Sequence, residues 1–120
     1  PVVHVAPDGR AAKARWHVFA QEAVHGEFAQ WGLGVLENEY VKDDGVWKIQ
    51  SLRLYVNFLV PYEKGWARLQ PGEGLVQSEV SRSFPPDRPS TVSYQPFPAT
   101  QVPTFQAPNP VTGRPVRGAR

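Results

Sequence analysis

The chain has 120 residues and contains neither cysteine nor methionine. The absence of cysteine excludes disulfides, thiol catalysis and cysteine-based zinc or iron–sulfur sites. The only histidines, His4, His17 and His25, show no ligand spacing and no carboxylate cluster, so we expect no metal site. Gly32 and Gly34 lack the third glycine and the following helix of a dinucleotide-binding loop, so we expect no cofactor.

An excess of either charge is also missing. Lysine and arginine total 13 against 11 acidic residues, a net charge of +2, so we expect no nucleic-acid partner. No apolar run approaches the ~20 residues of a membrane span, and no signal peptide is visible. Four arginines follow Asp87 with no acid among them, and we interpret them as a solvated tail: Arg88, Arg114, Arg117 and Arg120.

Proline is scarce in the first sixty residues, because eleven of the thirteen prolines lie at or after Pro61. The length corresponds to one domain at most, and residues 1–60 alone are near the lower limit for an independent core. We therefore expect further chain, a partner subunit or the tail to complete the core. The start at Pro1 is compatible with excision of an initiator methionine, but we expect an amino-terminal portion that this sequence does not include.

Period-two alternation of apolar residues predicts β-strands throughout the first half of the chain. A turn at 7–10, a break at His25-Gly26 and the hairpin signal Asp44-Gly45 separate the strands. Gly32 and Gly34, inside the third strand, indicate a bulge or a close backbone approach. The predicted strands cover 2–5, 11–22, 30–42 and 46–60, and we expect them to form an antiparallel meander.

The second half differs, because its prolines are incompatible with helix and with central strands. Aromatic residues nevertheless recur there, whereas a disordered linker is usually poor in them. They are Phe84, Tyr94, Phe97 and Phe105. We expect residues 67–120 to form an extended strap that lies on the chain's own sheet or on a neighbouring subunit, with a free tail as the alternative.

Residues 34–49, with the sequence GVLENEYVKDDGVWKI, resemble the signature hairpin of the SnoaL-like proteins of the nuclear transport factor 2-like superfamily. The resemblance implies an α+β cone-type fold, in which amino-terminal helices pack into a bent antiparallel sheet around an apolar cavity. Of that fold, we expect residues 1–66 to supply mainly the sheet, with the amino-terminal helices lying outside this sequence.

The third strand carries the main candidate site. Leu36, Asn38 and Tyr40 share one face, and Glu37 and Glu39 share the other; the resemblance implies that the first face points into the cone. Many relatives carry aspartate where Asn38 stands. Its amide could orient a carbonyl or a water molecule, or it could satisfy a nearby backbone group. Tyr40 could donate its phenol to a substrate oxygen, or it could be a core aromatic.

Further candidates lie on the second and fourth strands. His17 is a third potential catalytic residue because imidazole titrates near neutrality, although alternation with Trp16 also allows it to face solvent. Trp47 and Ile49 are expected to pack in the core, with Trp47 closing the base of the cone and contributing, like Leu36, to ligand binding.

Two more ligand-binding candidates, Arg53 and Tyr55, depend on which side of the fourth strand faces inward. If the leucine side is inside, Arg53 is a solvated edge. If a bulge switches the faces, Arg53 and Tyr55 line the mouth of the pocket. The sequence leaves both alternatives open.

Three functions are compatible with these features. The first is a cofactor-free lyase, isomerase or hydrolase acting on a hydrophobic, ring-bearing molecule through Asn38, Tyr40 and His17. The second is binding of such a molecule without turnover. The third is assembly, in which the open sheet face associates with another copy or with a complementary amino-terminal segment.

Overall fold

The computed structural model describes residues 1–71, 73, 82–90, 92–104, 108 and 112–114. Its regular elements are four strands followed by one 3₁₀ turn at Trp66–Arg68. The strands are β1 (Val2–Val5), β2 (Ala11–Val24), β3 (Phe28–Asp43) and β4 (Val46–Pro61). They form one antiparallel sheet in the order β1-β2-β3-β4, which confirms the predicted meander. The helices of the cone-type fold stay a prediction, and none of the described helical segments is long and apolar enough to cross a membrane.

The turns between the strands follow from their sequences. In the first turn, the Arg10 amide donates to the Asp8 carboxylate at 2.9 Å. In the hairpin between β3 and β4, Asp44 and Gly45 have φ angles of 47° and 79°. Positive φ at both central residues is the backbone pattern that fits the twist of a two-residue hairpin, and Asp-Gly suits it.

The register between β2 and β3 is regular. Arg15 contacts Glu37, and two residues earlier Lys13 contacts Glu39. A Cβ atom on Gly32 would lie 3.2 Å from the Ala20 Cβ and 3.3 Å from a methyl group of Leu59. Of the two roles predicted for the strand glycines, close backbone approach is therefore the one that Gly32 has.

The positions of β4 that share a side with even-numbered residues of β3 change along the strand. Next to the hairpin, the Lys42 ammonium lies 5.6 Å from the centroid of the Trp47 ring, so that even positions of β3 share a side with odd positions of β4. Farther along, Arg53 donates to Glu39, so that odd positions now share a side. One extra residue in β4, as in a β-bulge, produces this offset. This offset places Arg53 on the side of Glu39, away from Leu36, Asn38 and Tyr40, and a role of Arg53 and Tyr55 at the mouth of a pocket stays a prediction.

The chain divides into two compact units. Unit 1 comprises Pro1–Val18, Gly34–Tyr55 and Thr104–Arg120, and unit 2 comprises Phe19–Leu33 and Val56–Pro103. The strands β2, β3 and β4 each contribute residues to both.

The core of unit 2 consists of the buried residues Phe58, Val60 and Leu69, with Trp31, Leu33 and Phe97 packed against it. Full burial of one such side chain contributes roughly 1.5–3 kcal/mol. The Phe97 amide donates to the Asn57 carbonyl at 2.7 Å, and its ring centroid lies 6.3 Å from that of Phe58. Phe97 is therefore a point at which the proline-rich segment contacts the sheet.

The remaining tail predictions have mixed outcomes. Phe84 is exposed, and the basic residues Arg88 and Arg114 are exposed as well. Phe105, Arg117 and Arg120 lie outside the described residues. A continuous strap over 67–120, separate from a sheet domain over 1–66, stays a prediction.

The prediction that Trp47 and Ile49 pack in the core is wrong. Trp47 is 42% exposed and Ile49 is 59% exposed. Both flank the hairpin between β3 and β4, where Lys42 covers part of the indole, and the described residues place no second layer against them.

Candidate functional site

One side of the sheet in unit 1, the apolar face, is built from alternate residues of all four strands. The Arg15–Glu37 contact places Ala14 opposite Asn38 and Trp16 opposite Leu36. On the outer strand, Val3 pairs with Ala14. The apolar face consists of Val3, Val5, Ala12, Ala14, Trp16, Leu36, Asn38, Tyr40, Leu52 and Leu54.

Asn38 and Tyr40, two of the predicted catalytic residues, lie together on this face. The Asn38 Nδ2 atom donates a hydrogen bond to the Tyr40 hydroxyl oxygen at 2.9 Å. The Tyr40 hydroxyl keeps its own hydrogen, which it can donate to another acceptor. The Asn38 side chain is buried, with the residue 7% exposed.

Two buried polar atoms of the apolar face have no hydrogen-bond partner among the described residues. They are the Asn38 Oδ1, an acceptor, and the Trp16 Nε1, a donor. Trp16 and Asn38 are diagonal neighbours on adjacent strands, where residue positions are roughly 7–8 Å apart and long side chains can reach across. Each unsatisfied buried group costs about 1–3 kcal/mol. The face therefore contains a donor and an acceptor that a bound molecule would satisfy.

Large apolar side chains surround this polar pair and are substantially exposed. Val3, Val5, Leu52 and Leu54 are all in this class, and Trp47 and Ile49 continue it towards the hairpin. Scattered exposed leucines are ordinary, whereas a contiguous apolar patch usually marks a binding surface.

The opposite side of unit 1, the charged face, has a different chemistry. The Arg15 Nη1 lies 3.0 Å from the Glu37 Oε1, and the Arg53 Nη1 lies 3.1 Å from the Glu39 Oε1. Lys13 also approaches Glu39, at 3.8 Å. Burial raises the pKa of Glu37, and the charges of Arg15 and Arg53 act against it. The hydrogen bond from Arg53 is the main cause that lowers the pKa of Glu39.

Sequence reasoning missed this ion-pair network. Glu37 is only 5% exposed, whereas the alternation of the strand placed it on the face opposite Asn38 without indicating its burial. The available signal was the complementary order of charges, since the bases at 13 and 15 run opposite the acids at 39 and 37 in an antiparallel pair.

The predicted site residues therefore separate into two groups. Leu36, Asn38 and Tyr40 lie together on the apolar face, and Trp47 lies at its hairpin margin. Arg53 shares the charged face with Glu39, and the 3% exposed Tyr55 follows it by two residues on β4.

His17 is exposed and, next to Trp16 on β2, points to the side away from the Asn38–Tyr40 pair. Within the described ranges, no group of three or more His, Cys, Asp or Glu side chains is arranged to hold a metal ion.

The described residues thus define an antiparallel sheet domain with one apolar face that carries unsatisfied hydrogen-bonding groups. A family model described as a SnoaL-like domain matches residues 1–53, so this part of the chain is similar to SnoaL-like domains. The matched range includes Asn38 and Tyr40 and ends at Arg53. Proteins of this family often bind small molecules or have isomerase-type activity. No curated protein matches the sequence.

Proposed function

We propose that the apolar face binds a hydrophobic small molecule that carries one polar, oxygen-containing group. The observation that carries the proposal is that two buried atoms of this face, the Asn38 Oδ1 and the Trp16 Nε1, have no hydrogen-bond partner within the part of the chain that the structure describes. The ligand would donate to Asn38 and accept from Trp16 and from the Tyr40 hydroxyl. A hydroxy-ketone or a neutral carboxylic acid has this combination of donor and acceptor.

The apolar part of the ligand would lie on Leu36, Leu52 and Leu54. Removing about 200 Å² of apolar surface from water contributes about 5 kcal/mol at ~25 cal/mol per Å². Association itself costs about 4–15 kcal/mol, and pockets normally enclose most of the ligand. An open sheet face alone would bind weakly, so we propose that a second layer, from an amino-terminal segment or from another subunit, closes the pocket.

A cofactor-independent lyase, isomerase or hydrolase reaction on the same face is the second candidate. Its support is the Asn38–Tyr40 hydrogen bond, which holds the phenol with its proton directed to a further acceptor. The described carboxylate with a raised pKa, Glu37, lies on the charged face and cannot reach a molecule bound to the apolar face. Binding is therefore better supported than turnover.

Assembly through the apolar face is the third candidate, supported by its exposed valines and leucines. A partner chain that buried these side chains would leave the Asn38 oxygen in need of a polar group from that partner.

Isothermal titration calorimetry with a panel of hydrophobic hydroxy-ketones and carboxylic acids tests the proposal. For a compound that binds, we expect Asn38→Ala to weaken binding roughly tenfold, the loss of one hydrogen bond of about 1.4 kcal/mol. Trp16→Phe, which removes the N–H and keeps an aromatic ring, should have a similar effect. The control His17→Gln lies on β2 and faces the other side, so its affinity should be unchanged. Equal affinities for all four proteins would refute the assignment.

Product analysis with the same compounds separates binding from catalysis. Turnover that falls at least tenfold in Tyr40→Phe, with binding retained, would establish the enzymatic candidate. Binding without chemical change would leave the domain as a ligand carrier.

A further inference from the structure

Unit 2 contains a recess, which is built from residues other than those of the proposed ligand site. Trp31 and Tyr62 wall a recess of about 310 Å³, and the small side chains of Ala23 and Ala29 leave space between them. The rings of Trp31 and Tyr62 are stacked, with centroids 5.8 Å apart. The Phe19 ring extends this row, 5.5 Å from Trp31. We call this surface the aromatic recess.

The rim of the aromatic recess is acidic. Glu22 lines it. The exposed Glu27 lies in the turn between β2 and β3, and the exposed Glu63 follows Tyr62 just after the end of β4. The stretch 19–33 contains no lysine or arginine. The nearby Lys64 is engaged, since its ammonium lies 2.6 Å from Glu73.

The same unit presents a segment with complementary properties. Residues 82–90 are all exposed, and Phe84, followed by Pro85 and Pro86, is 79% exposed. Arg82 and Arg88 flank this Phe-Pro-Pro sequence. An apolar ring this exposed is costly in water, and the two prolines restrict the chain before any contact is made.

The chain itself shows how such a sequence binds. Phe97, between Pro96 and Pro98, packs edge-on against Phe58 and donates its amide to the Asn57 carbonyl at 2.7 Å. A proline-flanked phenylalanine therefore already contacts one aromatic surface of unit 2. Phe84 has the same local sequence character and is left exposed.

We propose that residues 82–90 of a second copy of this chain dock in the aromatic recess, and that the exchange is reciprocal. Phe84 and Pro85 would pack in the recess against the exposed sides of the Trp31 and Tyr62 rings, as proline-rich segments do in aromatic-lined grooves. Arg82 and Arg88 would face the acidic rim, because opposite charges orient and accelerate association. A two-fold exchange buries both segments and closes the assembly as a dimer.

A synthetic peptide of residues 82–90 tests the contact directly. Added to the full chain, it should bind in a titration calorimeter, and a peptide with Phe84→Ala should bind at least tenfold more weakly. Binding should weaken in 0.5 M salt, because the Debye length, about 8 Å at physiological salt, is shorter there and the opposite charges are screened. A Tyr62→Ser chain should lose most of the affinity. Absence of binding, or equal binding of the two peptides, would overturn the proposal.

Analytical ultracentrifugation of the chain tests the second copy. We expect a dimer for the original sequence and monomers for Phe84→Ser and for Tyr62→Ser, with circular dichroism confirming that both are folded. Mixing the two variants should restore association, because one retains the recess and the other retains the segment.

A chain that is monomeric at all concentrations, or a Phe84→Ser protein as dimeric as the original, would refute the exchange. The control His17→Gln, an exposed residue of β2 that faces away from the apolar face, should not change the mass. Dissociation caused by Leu52→Ser alone would instead locate the interface on the apolar face.

Discussion

Replacing Asn38 by leucine separates a functional residue from a structural one. In the free chain, the Asn38 Oδ1 is buried without a partner among the described residues, at a cost of about 1–3 kcal/mol. Leucine removes that atom and keeps a similar volume. The substitution also removes the hydrogen bond to Tyr40, which contributes about 0.5–1.5 kcal/mol. Because Tyr40 is only half-buried, water can replace this bond.

The balance predicts that Asn38→Leu stabilises the free chain by about 1 kcal/mol while it weakens binding of the ligand. Urea unfolding followed by circular dichroism measures the first effect, with an unchanged m-value as the sign that the folded state is the same. Calorimetry with a compound that binds the original chain measures the second. Opposite signs in the two assays are the expected mark of a residue kept for function.

The matched control is Leu36→Asn, which adds an amide two residues before Asn38 on the same strand and face. It should destabilise the chain, since it adds a polar group without an established partner. If Asn38→Leu destabilises the free chain by more than 1 kcal/mol, the amide has a structural role and the reasoning about its unpaired oxygen fails.

Three further predictions concern the sheet. Because the pKa of Glu39 is lowered in the folded chain, its carboxylate stabilises the fold at pH values above 4.5, its ordinary pKa, and this contribution is lost as the pH falls through the lowered pKa. Glu39→Gln should therefore reduce the loss of stability between pH 7 and pH 3 in urea titrations. The raised pKa of Glu37 acts in the opposite direction, since protonation favours the folded state, and Glu37→Gln should therefore steepen the acid destabilisation. Gly32→Ala should cost about 1–3 kcal/mol by overpacking, and Ala20→Gly in the same chain should restore part of it; an unchanged unfolding midpoint for the single variant would contradict the close contact.

The strands and turns could be predicted because their signals are local. Alternation over β2 and β3, the Asp44-Gly45 pair and Pro61 each act through the backbone of a few residues. For the same reason, the shared face of Leu36, Asn38 and Tyr40 was predictable once β3 was recognised as a strand.

The rest depends on contacts between distant residues. The side of β4 that faces Glu39 is set by an offset within the strand, which no local pattern records, and the sequence therefore left Arg53 undecided. Trp47 and Ile49 have the composition of core residues, but burial requires a second layer, and alternation says nothing about its presence. The contact between Trp31 and Tyr62 depends on the register between the start of β3 and the end of β4, which local patterns do not determine.

The two faces of unit 1 differ in whether their polar groups are satisfied, and this difference decides which face is the better site. On the charged face, both carboxylates have a guanidinium at about hydrogen-bond distance. A ligand would have to break these ion pairs and would leave a buried charge without its partner. On the apolar face, a ligand breaks nothing. It would gain the Asn38 oxygen and the Trp16 N–H as new partners and would cover leucines that now face water. The polar cost of binding would therefore be lower on the apolar face than on the charged face.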